Sequence, residues 1–239
     1  MRDLYIRGLS IEWGEISRGS YLRDIDAISS INRIEFEKPV TFLVGENGTG
    51  KSTLLEAIAI ASGFNPEGGT WNYNFSTRDT HSELHEAIRL VRGARQPGHG
   101  YFLRAESFYN VATKEEEYAN FAHPSQHYHE QSHGESFLAV AQRQFRARGI
   151  YILDEPEAAL SPQRQLTLLM EIMDCVRDGS QFIIVTHSPI LLGMPDADIL
   201  SLDGGKIHRI EYEETESYQI TKMFIEDRER ILNQLYIED

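Results

Sequence analysis

Gly45-Glu46-Asn47-Gly48-Thr49-Gly50-Lys51-Ser52-Thr53 has the spacing G-x-x-x-x-G-K-[ST]. Glycines let backbone N–H groups converge on phosphates, and a helix N-terminus behind them adds partial positive charge. Lys51 would reach the β- and γ-phosphates and the Ser52 hydroxyl would ligate Mg²⁺, so the chemistry is nucleoside triphosphate binding. Asp154-Glu155-Pro156 brings two adjacent carboxylates, and His187-Ser188-Pro189 an imidazole. Neighbours on a strand point to opposite faces, so the carboxylates need not share a role: one can hold Mg²⁺ while the other orients a nucleophilic water. His187 is then placed to touch a γ-phosphate or its attacking water.

These groups need elements that aim them at one place. The run Val40-Thr-Phe-Leu-Val44 reads as a buried strand, and residues 54–61 as a helix stopped at Gly63. Residues 149–153 and 181–186 are further buried strands, one ending in Asp154-Glu155 and the other at His187. Open α/β sheets bind ligands at the C-terminal edge of their strands, where all three groups would then sit. Ser161 caps a helix with Pro162 at its first position and Leu166, Leu169, Met170, Met173 and Val176 as its core face. Residues 2–12 and 32–37 alternate as an antiparallel edge, and 14–31 read as a loop or short hairpin from which Trp13 or Tyr21 could stack on an adenine, with core or surface packing the favoured role of either. A helical pattern covers 81–92, a strand 101–107, a hairpin 197–210 around Asp203-Gly-Gly205, and an amphipathic helix 218–236 presenting Ile220, Met223, Phe224, Ile231 and Leu235. The fold expected is α/β, with a mostly parallel central sheet, an antiparallel N-terminal β edge and an inserted helical lobe at about 75–147 within one domain, 1–239.

Composition narrows the partners. The formal net charge is −14, and 211–216 is an acidic run. That balance disfavours nonspecific nucleic-acid binding, and Arg89, Arg92, Arg95, Arg143, Arg146 and Arg148 read as solvated faces. No apolar run is long enough to span a bilayer, the N-terminus lacks a signal peptide's core, and Cys175 is the single cysteine, so a cytoplasmic location is expected. His123, His127, His129 and His133 lack the partners of a zinc site and read as a polar loop.

Taken together, the motifs resemble the ABC-type ATPase superfamily of P-loop NTPases. Residues 45–53 look like Walker A, and Ile150-Tyr-Ile-Leu-Asp-Glu155 like Walker B with its following glutamate. Ala159-Leu160-Ser161 is similar to the D-loop, and His187 to the switch histidine. Gln131-Ser-His-Gly-Glu-Ser136 occupies the place of the signature, departing from it at Gln131, His133 and Glu135 while keeping Ser132 and Gly134. Ser132-x-x-Glu135 is also a capping box opening a helix with Phe137, Leu138, Ala141 and Phe145, and a helix N-terminus with a free hydroxyl is an anion site. The strand end Arg104-Ala-Glu106-Ser107 lacks the loop glutamine of transporter subunits, with Glu106 in its place. The DEPE and THSP sequences look like the SMC, RecF and OLD branch, without room for a coiled-coil arm or an added nuclease domain.

The resemblance implies an Mg²⁺-dependent ATP hydrolase whose two copies close head to tail on two ATP molecules. Lys51 and the loop amides would bind phosphates, Ser52 and Asp154 the metal, Glu155 the water and His187 the γ-phosphate. Ser132, Gly134 and Glu135 would complete the partner copy's site. Two other readings stay open: the energising subunit of an ABC transporter, and a nucleotide-gated module that binds DNA or a partner protein.

Overall fold

The computed structural model describes residues 4–71, 82–104 and 133–236, the backbone alone for 133–135. In chain order the strands are β1 (Ile6–Ile11), β2 (Arg33–Glu35), β3 (Val40–Val44), β4 (Ile88–Arg92), β5 (His99–Arg104), β6 (Gly149–Asp154), β7 (Gln181–Val185), β8 (Asp198–Ser201) and β9 (His208–Ile210). The helices are α1 (Asp26–Ser29), α2 (Lys51–Ala61), α3 (Leu84–Ala87), α4 (His133–Gln144), α5 (Pro162–Arg177), α6 (Pro189–Leu192), α7 (Glu216–Glu226) and α8 (Arg228–Tyr236).

Six strands form the central sheet in the order β5-β6-β7-β3-β8-β9. All neighbours in it are parallel except the final β8–β9 hairpin. Every residue of β3, β6 and β7 is buried, because both faces of the sheet are covered. Leu43, Ile150, Ile152, Ile183 and Val185 share one core with α2, through Leu54, Leu55 and Ile58. Phe42, Tyr151, Leu153, Phe182 and Ile184 point the other way, into a second core with Phe137 and Phe145 and with Leu168 and Ile172 of α5. Alternate residues of each strand thus serve opposite layers, as the pleat dictates.

The antiparallel N-terminal strands form a sheet of their own, ordered β2-β1-β4. Gln181, at the start of β7, ties it to the central sheet. Its Oε1 accepts from the Tyr5 and Ile6 backbone N–H groups, both at 2.9 Å, and its Nε2 donates to Ile6 O at 2.7 Å.

Four sequence expectations change. Residues 81–92 are not one helix: a single turn, α3, gives way to β4, which pairs with β1 through Leu9↔Leu90 and Ile11↔Ile88. Long-range pairing overrides a local helical pattern there. Residues 14–31 contain a 3₁₀ turn at Tyr21–Arg23 and α1 rather than a hairpin. The core face of α5 is Leu168, Ile172, Cys175 and the expected Val176, with the expected Leu169 and Met173 packed partly buried against the same core, whereas Leu166 and Met170 are 52% and 65% exposed. The C-terminal segment is two helices, broken at Asp227, and neither has a buried residue. Among the described residues no helix is long and apolar enough to cross a membrane.

Candidate nucleotide site

The registers Leu43↔Val185, Val44↔Ser201 and Asp154↔Val185 align the C-terminal ends of β3, β6, β7 and β8. The loop at Gly45, the Asp154-Glu155 pair, His187 and Asp203 therefore leave the sheet along one edge. Parallel pairing alone brings them together from four distant parts of the chain.

The loop after β3 is shaped by glycine. Gly45, Gly48 and Gly50 have φ of 143°, 86° and 92°. A Cβ on Gly50 would stand 2.6 Å from Ile28 Cγ1, so backbone conformation and lack of space both exclude a side chain. Lys51 opens α2 and is 5% exposed. Its Nζ donates to Gly45 O at 2.6 Å and Glu46 O at 2.8 Å, so the loop folds around its own ammonium. Burial lowers the Lys51 pKa, against the opposing charges of Glu155, Asp203 and Asp154.

One residue on, the Ser52 hydroxyl donates to Asp154 Oδ1 at 3.1 Å. This contact joins the glycine loop to the end of β6. Asp154 is 8% exposed, and Arg104, at the end of β5, places its Nε 3.7 Å from Asp154 Oδ2. Glu155 sits at φ 49°, ψ 52°, a left-handed conformation that costs a non-glycine residue about 1–2 kcal/mol. Its N–H donates to Val185 O at 3.0 Å, which pins the turn to β7. Strain of this kind clusters at functional sites. His187 is exposed, and its backbone N–H donates to Glu157 Oε1 at 2.5 Å. Ser161 caps α5 by accepting from the Arg164 N–H at 3.4 Å.

The sequence missed Asp203, reading it only as a turn residue. Its Oδ1 accepts the Glu46 N–H at 2.8 Å and its Oδ2 the Ser201 hydroxyl at 3.1 Å. It therefore braces the start of the glycine loop from β8, a role legible only once β8 is known to pair with β3. Two cavities meet here, of 470 Å³ beside Gly45, His187 and Asp203 and of 630 Å³ beside 46–49 and Gly204. The first is walled on its far side by the start of α7, including Glu216 and Gln219.

Some expected residues lie elsewhere. Trp13 is committed to packing: its Nε1 donates to Ile31 O at 2.9 Å, and the Arg23 guanidinium lies 5.2 Å from its ring centroid. Tyr21 is 56% exposed. Ser132, Glu106, His123, His127 and His129 lie outside the described residues, and Gly134 and Glu135 are placed by backbone alone, in the first turn of α4. Among the described residues no group of three or more His, Cys, Asp or Glu could hold a metal ion by itself. Ser52 and Asp154 instead offer hard oxygen donors of the kind Mg²⁺ takes when phosphates supply the rest, and so fit that ion.

A family model described as an AAA domain matches residues 21–144, just over half of the chain. A second AAA domain model, whose description also names the AbiEii toxin of type IV TA systems, matches 125–193. No curated protein matches in sequence. Among solved structures, an SMC head bound to the C-terminal winged-helix domain of ScpA aligns with a TM-score of 0.51 at 14% identity, covering 88% of this chain and 99% of that one. The SMC head domain from Thermotoga maritima gives 0.46 at 14%, covering 87% and 99%, and an ATP-binding cassette of an ABC transporter 0.46 at 18%, covering 93% and 98%. At these identities the likeness is one of fold. The chain belongs to the AAA domain family.

Proposed function

We propose that the chain hydrolyses ATP to ADP and phosphate with Mg²⁺, and that ATP closes two copies head to tail. The observation that carries this reading is the Ser52–Asp154 contact, with Glu155 next in sequence and its charge acting on Lys51. Mg²⁺, when bound, supplies charge neutralisation on the phosphates. Lys51 exchanges its two loop carbonyls for phosphate oxygens, and the loop N–H groups from Gly48 to Thr53 bind the same chain. Glu155 accepts a hydrogen bond from the attacking water and takes its proton, and His187 donates to the γ-phosphate as charge develops there. One domain carries these groups. Gly134 and Glu135 in the first turn of α4, with Ser132 just before them in sequence, would meet the nucleotide of the other copy.

The test is Glu155→Gln, which keeps the shape and removes the base. Turnover is expected to fall by at least about a hundredfold while ATP binding persists. With ATP the variant should elute as a dimer on gel filtration. A monomeric variant that turns over at the normal rate ends this reading.

A further inference from the structure

Arg104 ends β5, and its partner across the strand pair is Asp154. It opens the strand end compared above with the loop glutamine of transporter subunits, and the sequence assigns it no role of its own. Its side chain is 20% exposed, against 10% for Asp154 and 14% for Glu56. Arg104 Nη1 donates to Glu56 Oε2 at 2.8 Å, and Nε lies 3.7 Å from Asp154 Oδ2. The other oxygen of Asp154, Oδ1, accepts the Ser52 hydroxyl. The aspartate thus faces the glycine loop with one oxygen and a fixed positive charge with the other. Glu56 stands one helical turn beyond Ser52 on α2, so the helix that begins at the phosphate site also carries the counter-charge for Arg104.

A guanidinium is charged at every accessible pH, so the field on Asp154 is permanent. A divalent cation arriving at Ser52 and Asp154 gains one carboxylate but meets that guanidinium close by. At an effective dielectric of about 20, a unit charge a few ångströms from a divalent ion changes affinity by more than about tenfold. Glu56 offsets part of the repulsion. A triphosphate brings enough negative charge to outweigh the remainder.

We propose that Arg104, held by Glu56, is a positioning residue that keeps the Ser52–Asp154 site weak for free divalent metal, so that metal enters with the nucleotide and not ahead of it. The proposal rests on the ATPase reading, because it takes Ser52 and Asp154 as the metal's ligands. It differs from a purely structural ion pair, which would steady β5 against α2 without altering metal affinity.

Mn²⁺ serves as the probe, titrated into the full chain and followed by electron paramagnetic resonance, without nucleotide and with a non-hydrolysable ATP analogue. Wild type should bind Mn²⁺ weakly alone and at least about tenfold more tightly with the analogue. Arg104→Met should bind Mn²⁺ without nucleotide at least about tenfold more tightly than wild type, while Arg104→Lys, which keeps the charge, stays within about threefold. Glu56→Gln, which removes one counter-charge from Arg104, should shift the other way and weaken Mn²⁺ binding in the presence of the analogue. A folded Arg104→Met protein with wild-type Mn²⁺ affinity overturns the assignment. So does a Glu56→Gln protein that binds Mn²⁺ more tightly, which decides the matter even if Arg104→Met fails to fold. If the analogue brings no gain in wild type, the ATPase reading and this proposal both fall. A gain in wild type with no response to Arg104→Met removes the proposal alone.

Discussion

Two turns on the same edge of one sheet achieve opposite things. After β3, three glycines take positive φ and the loop offers backbone N–H groups, with the Glu46 and Asn47 side chains exposed. After β6, a non-glycine residue, Glu155, takes positive φ and the turn offers a carboxylate. On the function proposed above, the first turn would bind with main chain and be indifferent to most of its side chains, and the second would act with a side chain and accept strain to aim it. A phosphate can be held by any ring of donors, but a proton must be taken from one direction, and that difference selects glycine in one place and forbids it in the other.

The contrast can be broken at three points. Gly50→Ala should have the largest effect: the positive φ and the approach to Ile28 together cost about 2–4 kcal/mol, and ATP affinity should drop by about a hundredfold as the loop shifts. Thermal melts and ATP titration would show it, and a variant with wild-type affinity would mean that the loop does not bind through its backbone. Glu155→Gly should lose turnover as Glu155→Gln does, yet raise stability by about 0.5–1 kcal/mol, near 1–3 °C in Tm, because glycine relieves the left-handed conformation. A Glu155→Gly protein that melts lower would show that the carboxylate, not only its aim, supports the fold. Asn47→Ala should be the mildest, leaving ATP affinity within about twofold, since its exposed side chain is not what the loop uses.

Legibility followed the same division. The strands at 40–44, 149–154 and 181–185 were readable because burial on both faces leaves a continuous apolar run. The Ser52–Asp154 contact was readable because motif spacing fixes both ends of it. The α5 face was legible in part: Leu169, Met173 and Val176 pack on the core as expected, whereas Leu166 and Met170 are exposed and Leu168, Ile172 and Cys175 take the buried positions, because the position of the sheet decides which side of the helix is covered. Residues 88–92 fit a helix locally and became a strand because β1 needed a partner. Asp203 and Arg104 act across strand pairs, β8 with β3 and β5 with β6, and no local pattern reveals which strands will lie side by side.

The strand order also bears on how the protein is made. β3 hydrogen-bonds only to β7 and β8, which leave the ribosome roughly 140–155 residues later. At about 5–20 residues per second, the strand carrying the phosphate loop spends roughly 7–28 s of synthesis with both of its edges unpaired. ATP cannot template the early stages of folding, because the site it would occupy has no floor until β7 arrives and no brace until Asp203 follows. During that interval β3 is an apolar edge open to any other strand, and the nascent chain is at its most vulnerable to misassociation.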